Sequence, residues 1–153
     1  MIRQKIDKFI ASLLSLIMGL MVINVLWQVF TRFIMSNPSS FTDELARYLM
    51  IWVGVLGAAY VSGKNMHVAI DVLSNRLTEK KQKNLSLFVH GIVIIFSLLV
   101  LVIGGFRLVY ITAVLNQNSP ALHIPLAVVY AVIPISGLLI IYYKINDILT
   151  QKL

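Results

Sequence analysis

The hydrophobic pattern of the chain is four long apolar runs divided by short polar segments: Phe9–Phe30, Tyr48–Val61, Leu85–Phe106 and Leu122–Tyr143. A bilayer core about 30 Å thick takes about 20 helical residues to cross. Three runs reach that length unaided, and the second does so when counted from about Glu44 to Gly63. The pattern predicts an all-α integral membrane protein with four transmembrane helices, at about 9–33, 44–63, 85–108 and 122–143. One membrane domain, 1–153, accounts for the whole sequence. Between the second and third runs, Met66, Ile70, Leu73 and Leu77 recur at helical spacing, with Asp71, Ser74 and Asn75 opposite. That stretch reads as a short amphipathic helix, about 66–77, lying on the cytoplasmic surface.

Composition agrees. The chain is 59% hydrophobic and 12% charged, with a mean hydropathy of +0.88, whereas charged residues make up roughly 25% of a soluble domain. The first run is too long for a signal-peptide core and no small-x-small cleavage site follows it, so it reads as a retained anchor. The sequence has no cysteine, which removes disulfides, thiolate nucleophiles and iron–sulfur ligation. A net charge of +7 would suit nucleic acid, but the basic residues flank the spans, and membrane orientation explains them better than nucleic-acid binding. Ten of the thirteen Lys and Arg residues fall in the N-terminal segment, the loop between the second and third runs, and the C-terminal segment. Arg32, Arg47 and Arg107 lie on the other side. Both termini of this multi-pass protein are therefore expected in the cytoplasm.

Polar residues inside the spans carry the remaining information. Asn24, Gln28 and Thr31 fall within about 60° of one another on the first helix, a pattern suited to hydrogen bonds between helices worth roughly 0.6 kcal/mol each. A solute pathway is the alternative reading. At the second helix, Ser40 and Asp43 fit the capping pattern [ST]-x-x-[DE]. Glu44, Arg47, Ile51, Gly54, Ala58 and Ser62 share an arc of about 80°. Charge facing lipid is costly, whereas an i,i+3 pair among small residues suits a packing face. Glu44 and Arg47 are expected to pair there. In the fourth helix Pro134 predicts a kink, and Tyr142, Tyr143 and Lys144 read as anchors of its inner end.

No enzyme signature is present. His67, His90 and His123 are scattered, none at a metal-ligand spacing with another, and they do not form the paired axial ligands of a membrane cytochrome. A proton-coupled exporter needs a carboxylate within the bilayer, and all six acids lie near helix ends or in loops. Lacking coupling machinery of its own, the chain reads as an accessory subunit with no cofactor. A self-sufficient four-helix carrier or channel, acting as an oligomer, is the competing reading.

The stretch FTDELARYLMIWVGVLGAAYVSGKNMHVAIDVL, Phe41–Leu73, resembles the small membrane subunit (DctQ type) of tripartite ATP-independent periplasmic, or TRAP, transporters. The resemblance rests on the acidic pair Asp43–Glu44 followed by Arg47, on Trp52, on LGAA at Leu56–Ala59 and on HVAIDVL at His67–Leu73. Asp43 stands where the family often has Glu, and Lys64 where it often has Arg, a point charge in place of a fork. The resemblance implies a large multi-helix permease partner that moves substrate by a sodium-driven elevator motion, with sodium coupling in that partner. It also implies a periplasmic binding protein that delivers an organic acid such as a dicarboxylate, keto acid or sialic acid. The small subunit would be a scaffold embedded in membrane lipid, with no nucleic-acid partner. Its expected contacts to the permease are Asp43, Glu44, Arg47, Trp52, Gly54, Ala58, Lys64, His67 and Asp71, while Asn24 and Gln28 pack its own helices. His67 and Asp71, at i,i+4, are expected to hydrogen-bond locally, with permease contact as the alternative.

Overall fold

Long apolar runs have no polar alternative inside a bilayer but to satisfy their backbone internally, and helices do so within one segment. In the computed structural model, which describes residues 2–35, 39–64 and 79–150, the first three runs lie within helical spans, whereas the fourth span begins at Leu126 and not at Leu122, because residues 122–125 are folded into the preceding loop. The first helix, α1, covers Ile2–Phe33, and the second, α2, covers Ser40–Gly63. The third span is composite: α3 (Glu79–Phe96), a π-helical segment (Ser97–Gly104) and α4 (Gly105–Val114). The fourth is broken into α5 (Leu126–Tyr130) and α6 (Val132–Leu149). Among the described residues, four helical stretches are long and apolar enough to cross a membrane: Arg3–Phe33, Ser40–Gly63, Lys81–Val114 and Leu126–Leu149. The expected surface helix at 66–77 lies outside the described residues.

The spans do not pack in chain order. The first lies on the second, the second on the last, and the last on the third. Ile17, Leu56 and Val132 form the buried centre where the first, second and last spans meet. Most large apolar side chains elsewhere face outward, among them Leu26, Phe88 and Tyr110, as expected of surfaces that lipid covers.

Glycine permits the closest approach between the third and fourth spans. A Cβ on Gly137 would sit 2.7 Å from Leu101 Cβ, and one on Gly105 would sit 2.9 Å from Pro134 Cδ. The widened turns of the π segment thus meet the last span at positions where one partner has no side chain. Nothing in the periodicity of SLLVLVIG distinguishes a π-helix from an α-helix, and the segment was not foreseen.

Pro134 acts more sharply than a kink. Its ring crowds the preceding turn and it offers no N–H, and the helix is interrupted at Ala131, three residues before it. The indole N–H of Trp52 donates to the Val129 carbonyl oxygen at 3.0 Å, tying α2 to the broken turn. The last helix then continues six residues beyond the apolar run, so that Asn146 and Asp147 become helical.

Candidate subunit surface and the polar staples of the bundle

Two clusters of polar side chains hold the bundle, one at each end. At the end reached by the loop between the third and fourth spans, residues 115–125, a carboxylate organises that loop. The loop is shaped by Asn116 and His123 in the left-handed region (φ 48° and 55°) and by an isolated bridge between Asn118 and Pro125. Ser119 N–H donates to Ile124 O at 2.9 Å, and His123 N–H to Ser119 O at 3.0 Å. This folding turns the amides of Ala121 and Leu122 inward, where they donate to Glu44 Oε2 at 3.1 and 3.2 Å. The Ser119 hydroxyl donates to the same oxygen. One carboxylate from α2 thereby satisfies three donors of a loop more than seventy residues away.

Glu44 is thus not the partner of Arg47. Arg47 is exposed and has no ion-pair partner among the described residues. The reason is competition: two fixed backbone N–H groups and a hydroxyl solvate the carboxylate without the entropy of ordering a long arginine side chain. The expected cap also differs. Ser39, not Ser40, is the N-cap of α2, and it makes no side-chain bond to the helix backbone. Its hydroxyl pairs with Thr42 Oγ1 at 2.7 Å. Asp43 is taken by α1 instead, accepting from Gln28 Nε2.

Asn24 and Gln28 of the α1 polar stripe bond to α2 as their spacing suggests, whereas Thr31 bonds within its own helix. Asn24 is buried and its Nδ2 donates to Thr42 O at 2.8 Å. Thr31 Oγ1 donates to Gln28 O within α1 at 3.0 Å.

At the opposite end, α1, α2 and α6 are joined by charge. Arg3 donates to Asp147 Oδ1 at 2.6 Å and to Asn146 Oδ1 at 3.2 Å, and its second terminal nitrogen donates to Gly63 O. Asp7 accepts from Tyr143 Oη at 2.7 Å and from Lys64 Nζ at 3.3 Å. Lys144 Nζ donates to Ser62 O at 3.0 Å and lies 4.0 Å from Asp147 Oδ2. Tyr143, Lys144 and Asp147 are each at most 1% exposed. Gly63 makes room for them, since a Cβ there would meet the Tyr143 ring at 2.9 Å.

Tyr143 and Lys144 therefore do not anchor the helix end in the headgroup layer. They face inward, because carbonyls of the α2 terminus and the acids of α1 and α6 offer partners that lipid does not. Arg3, Asp7 and Asp147 were missed as a group. The available signal was charge of both signs at one membrane level, on segments expected to be neighbours.

The remaining site candidates divide clearly. Asp43, Glu44 and Trp52 make contacts within the chain. Arg47, Gly54 and Ala58 form an exposed line on α2, with nothing within 4 Å of a Cβ built on Gly54. Lys64 is exposed, paired with Asp7 and 5.4 Å from the Tyr60 ring centroid. His67 and Asp71 lie outside the described residues.

The sequence matches the family described as "Tripartite ATP-independent periplasmic transporters, DctQ component" over residues 8–152. It is 30% identical over 135 residues to a TRAP transporter small permease protein of Haemophilus influenzae, covering 88% of this chain and 82% of that protein. It is 31% identical over 100 residues to the C4-dicarboxylate TRAP transporter small permease protein of Rhodobacter capsulatus, 65% of this chain and 44% of the relative. A third match, 35% identical over 68 residues, covers 44% of this chain but only 11% of the sialic acid TRAP transporter permease protein of Haemophilus influenzae. The chain thus spans most of the first relative, under half of the second and about a tenth of the third. With the match running over nearly its whole length, the four-span chain belongs to the DctQ component family of tripartite ATP-independent periplasmic transporters.

Proposed function

We propose that this chain is the scaffold of a large, multi-helix permease subunit that moves an organic acid, of the dicarboxylate, keto acid or sialic acid type, by a sodium-driven elevator motion. A periplasmic binding protein delivers the substrate. The observation that carries this reading is where the polar groups of the spans are spent. Asn24, Gln28, Glu44, Arg3 and Asp147 bond to this chain's own helices and loop. A sodium-coupled carrier needs ion and substrate ligands at the membrane midplane, and here these five side chains hold a bundle together towards its ends. The match to a short part of a much longer permease protein supports an intimate partnership with such a chain. The Arg47–Gly54–Ala58 line is the permease-facing surface on this reading, because small residues let a second helix approach closely. The self-contained carrier is the weaker reading, since the family is one of transporter components.

The test is reconstitution. The purified chain alone in liposomes is expected to move no organic acid under a sodium gradient. With the co-expressed permease and loaded binding protein, uptake should appear and require sodium. Replacing Asn24 and Gln28 by Leu should weaken the assembled complex without altering which acid is carried. Uptake by this chain alone, or a changed preference in those variants, would place the solute path here and overturn the scaffold reading.

The count of basic residues supports both termini in the cytoplasm. In a cysteine-free chain, single cysteines report topology directly. Gln117→Cys should react with an impermeant maleimide in intact spheroplasts, and Lys81→Cys only after permeabilisation. The opposite pattern would invert the orientation.

A further inference from the structure

An apolar groove of about 540 Å³ opens between the first and last spans, with α2 as its floor. Ile10 and Leu13 line one wall, Ile135 and Leu139 the other, and Trp52 and Leu56 the base. Its volume lies within the range of small-ligand sites. Lys5 stands at its mouth. Lys8, at i+3 on α1, lies beside Lys5 on the same helix surface.

The charge around that mouth is uneven. Arg3 is neutralised by Asp147, and Lys64 by Asp7. Lys5 and Lys8 are exposed and have no ion-pair partner among the described residues. An apolar slot with one uncompensated ammonium group at its mouth and a second beside it on α1 complements a molecule with an anionic head and an aliphatic tail.

Depth selects the occupant. On α1 the lining runs from Lys5 to Leu13, about 12 Å of helix, and on α2 it stops at Trp52, about 16 Å from Gly63. Half of a bilayer core is about 15 Å. The groove is therefore one leaflet deep, with its charged mouth at the level where headgroups lie. A partner's transmembrane helix would need a groove along the full core, and this one ends at mid-membrane.

We infer that the groove binds one acyl chain of an acidic phospholipid, whose phosphate is held by Lys5 and Lys8. The lipid fills the gap between the first and last spans where their side chains do not meet. The inference rests on the membrane placement of the spans and not on the permease partnership.

Trp52 on the groove floor is a built-in probe. In a Trp27→Phe variant it is the sole indole, because Trp27 is the other tryptophan of the chain. The protein is reconstituted in phosphatidylcholine vesicles containing phosphatidylglycerol, with bromine on the acyl chains of one lipid or the other. Brominated phosphatidylglycerol is expected to quench Trp52 with a relative association constant about tenfold above that of brominated phosphatidylcholine. Lys5→Gln/Lys8→Gln should remove that preference while leaving quenching by both lipids. Trp27, read alone in a Trp52→Phe variant, should show no headgroup preference. Added inorganic phosphate should not reduce the preference, because the site requires the tail. Equal quenching by both lipids in the parent would reduce the groove to ordinary lipid contact and overturn the inference. Absence of quenching, or its loss when the permease is co-reconstituted, would assign the groove to protein and overturn it as well.

Discussion

Asp147→Ala is expected to destabilise the bundle by about 3–5 kcal/mol, the cost of removing one partner of a buried ion pair and leaving the other without compensation. Asp147 is fully buried; the Arg3 guanidinium is 22% exposed and can partly rehydrate, but Lys144, 4.0 Å from Asp147 and 1% exposed, has little access to water, so the whole range stands as the expectation. The loss should show as a lower unfolding midpoint in detergent micelles. Asp147→Asn keeps an acceptor for Arg3 and should fall between parent and Ala variant. The decisive measurement is the double-mutant cycle. If Arg3 and Asp147 hold the first and last spans together, Arg3→Ala with Asp147→Ala should cost clearly less than the sum of the single changes. Additive costs would mean that the two residues act separately.

Removing Glu44 should loosen the loop at residues 115–125 without melting the helices. In Glu44→Ala, the amides of Ala121 and Leu122 and the Ser119 hydroxyl lose their common acceptor. The unmade bonds, not the lost attraction, dominate the effect, because donors turned into a folded loop must find water or reopen it. Hydrogen exchange at Ala121 and Leu122 is expected to rise about tenfold, with the amides of α2 little changed. Glu44→Gln retains an oxygen acceptor and should restore much of the protection. Glu44→Asp, one methylene shorter, should not. Arg47→Ala should leave the exchange of this loop unaltered, because Arg47 is exposed and Glu44 is satisfied elsewhere. An equal effect of Arg47→Ala would reinstate the pair that i,i+3 spacing suggests.

The two staples and the groove belong to one design. Polar bonds fix the bundle where water or headgroups can solvate mistakes, at its two ends. Between them lie apolar contacts, the Trp52–Val129 bond and the buried hydroxyls of Ser97 and Ser136.

The class, the four spans and the subunit family are legible in the residue order alone, because these depend on quantities that are local. Hydrocarbon thickness sets the run length, backbone satisfaction demands helices, and the segment Phe41–Leu73 carries its pattern in contiguous residues. Spacing on α1 likewise predicted that Asn24 and Gln28 bond to another helix. Which partner each charge takes emerges from the packing of the spans. Spacing along α2 made Arg47 the neighbour of Glu44. The fold brought three better donors from residues 119–122, and Arg47 was left facing outward. Anchoring in the headgroup layer was the natural reading of Tyr143 and Lys144, yet packing against Gly63 turned them inward onto Asp7 and Ser62. The physical reason is the same in both cases. An ionised side chain goes to the site that best replaces its water, and that site was assembled from segments distant in the chain, where helical periodicity carries no information.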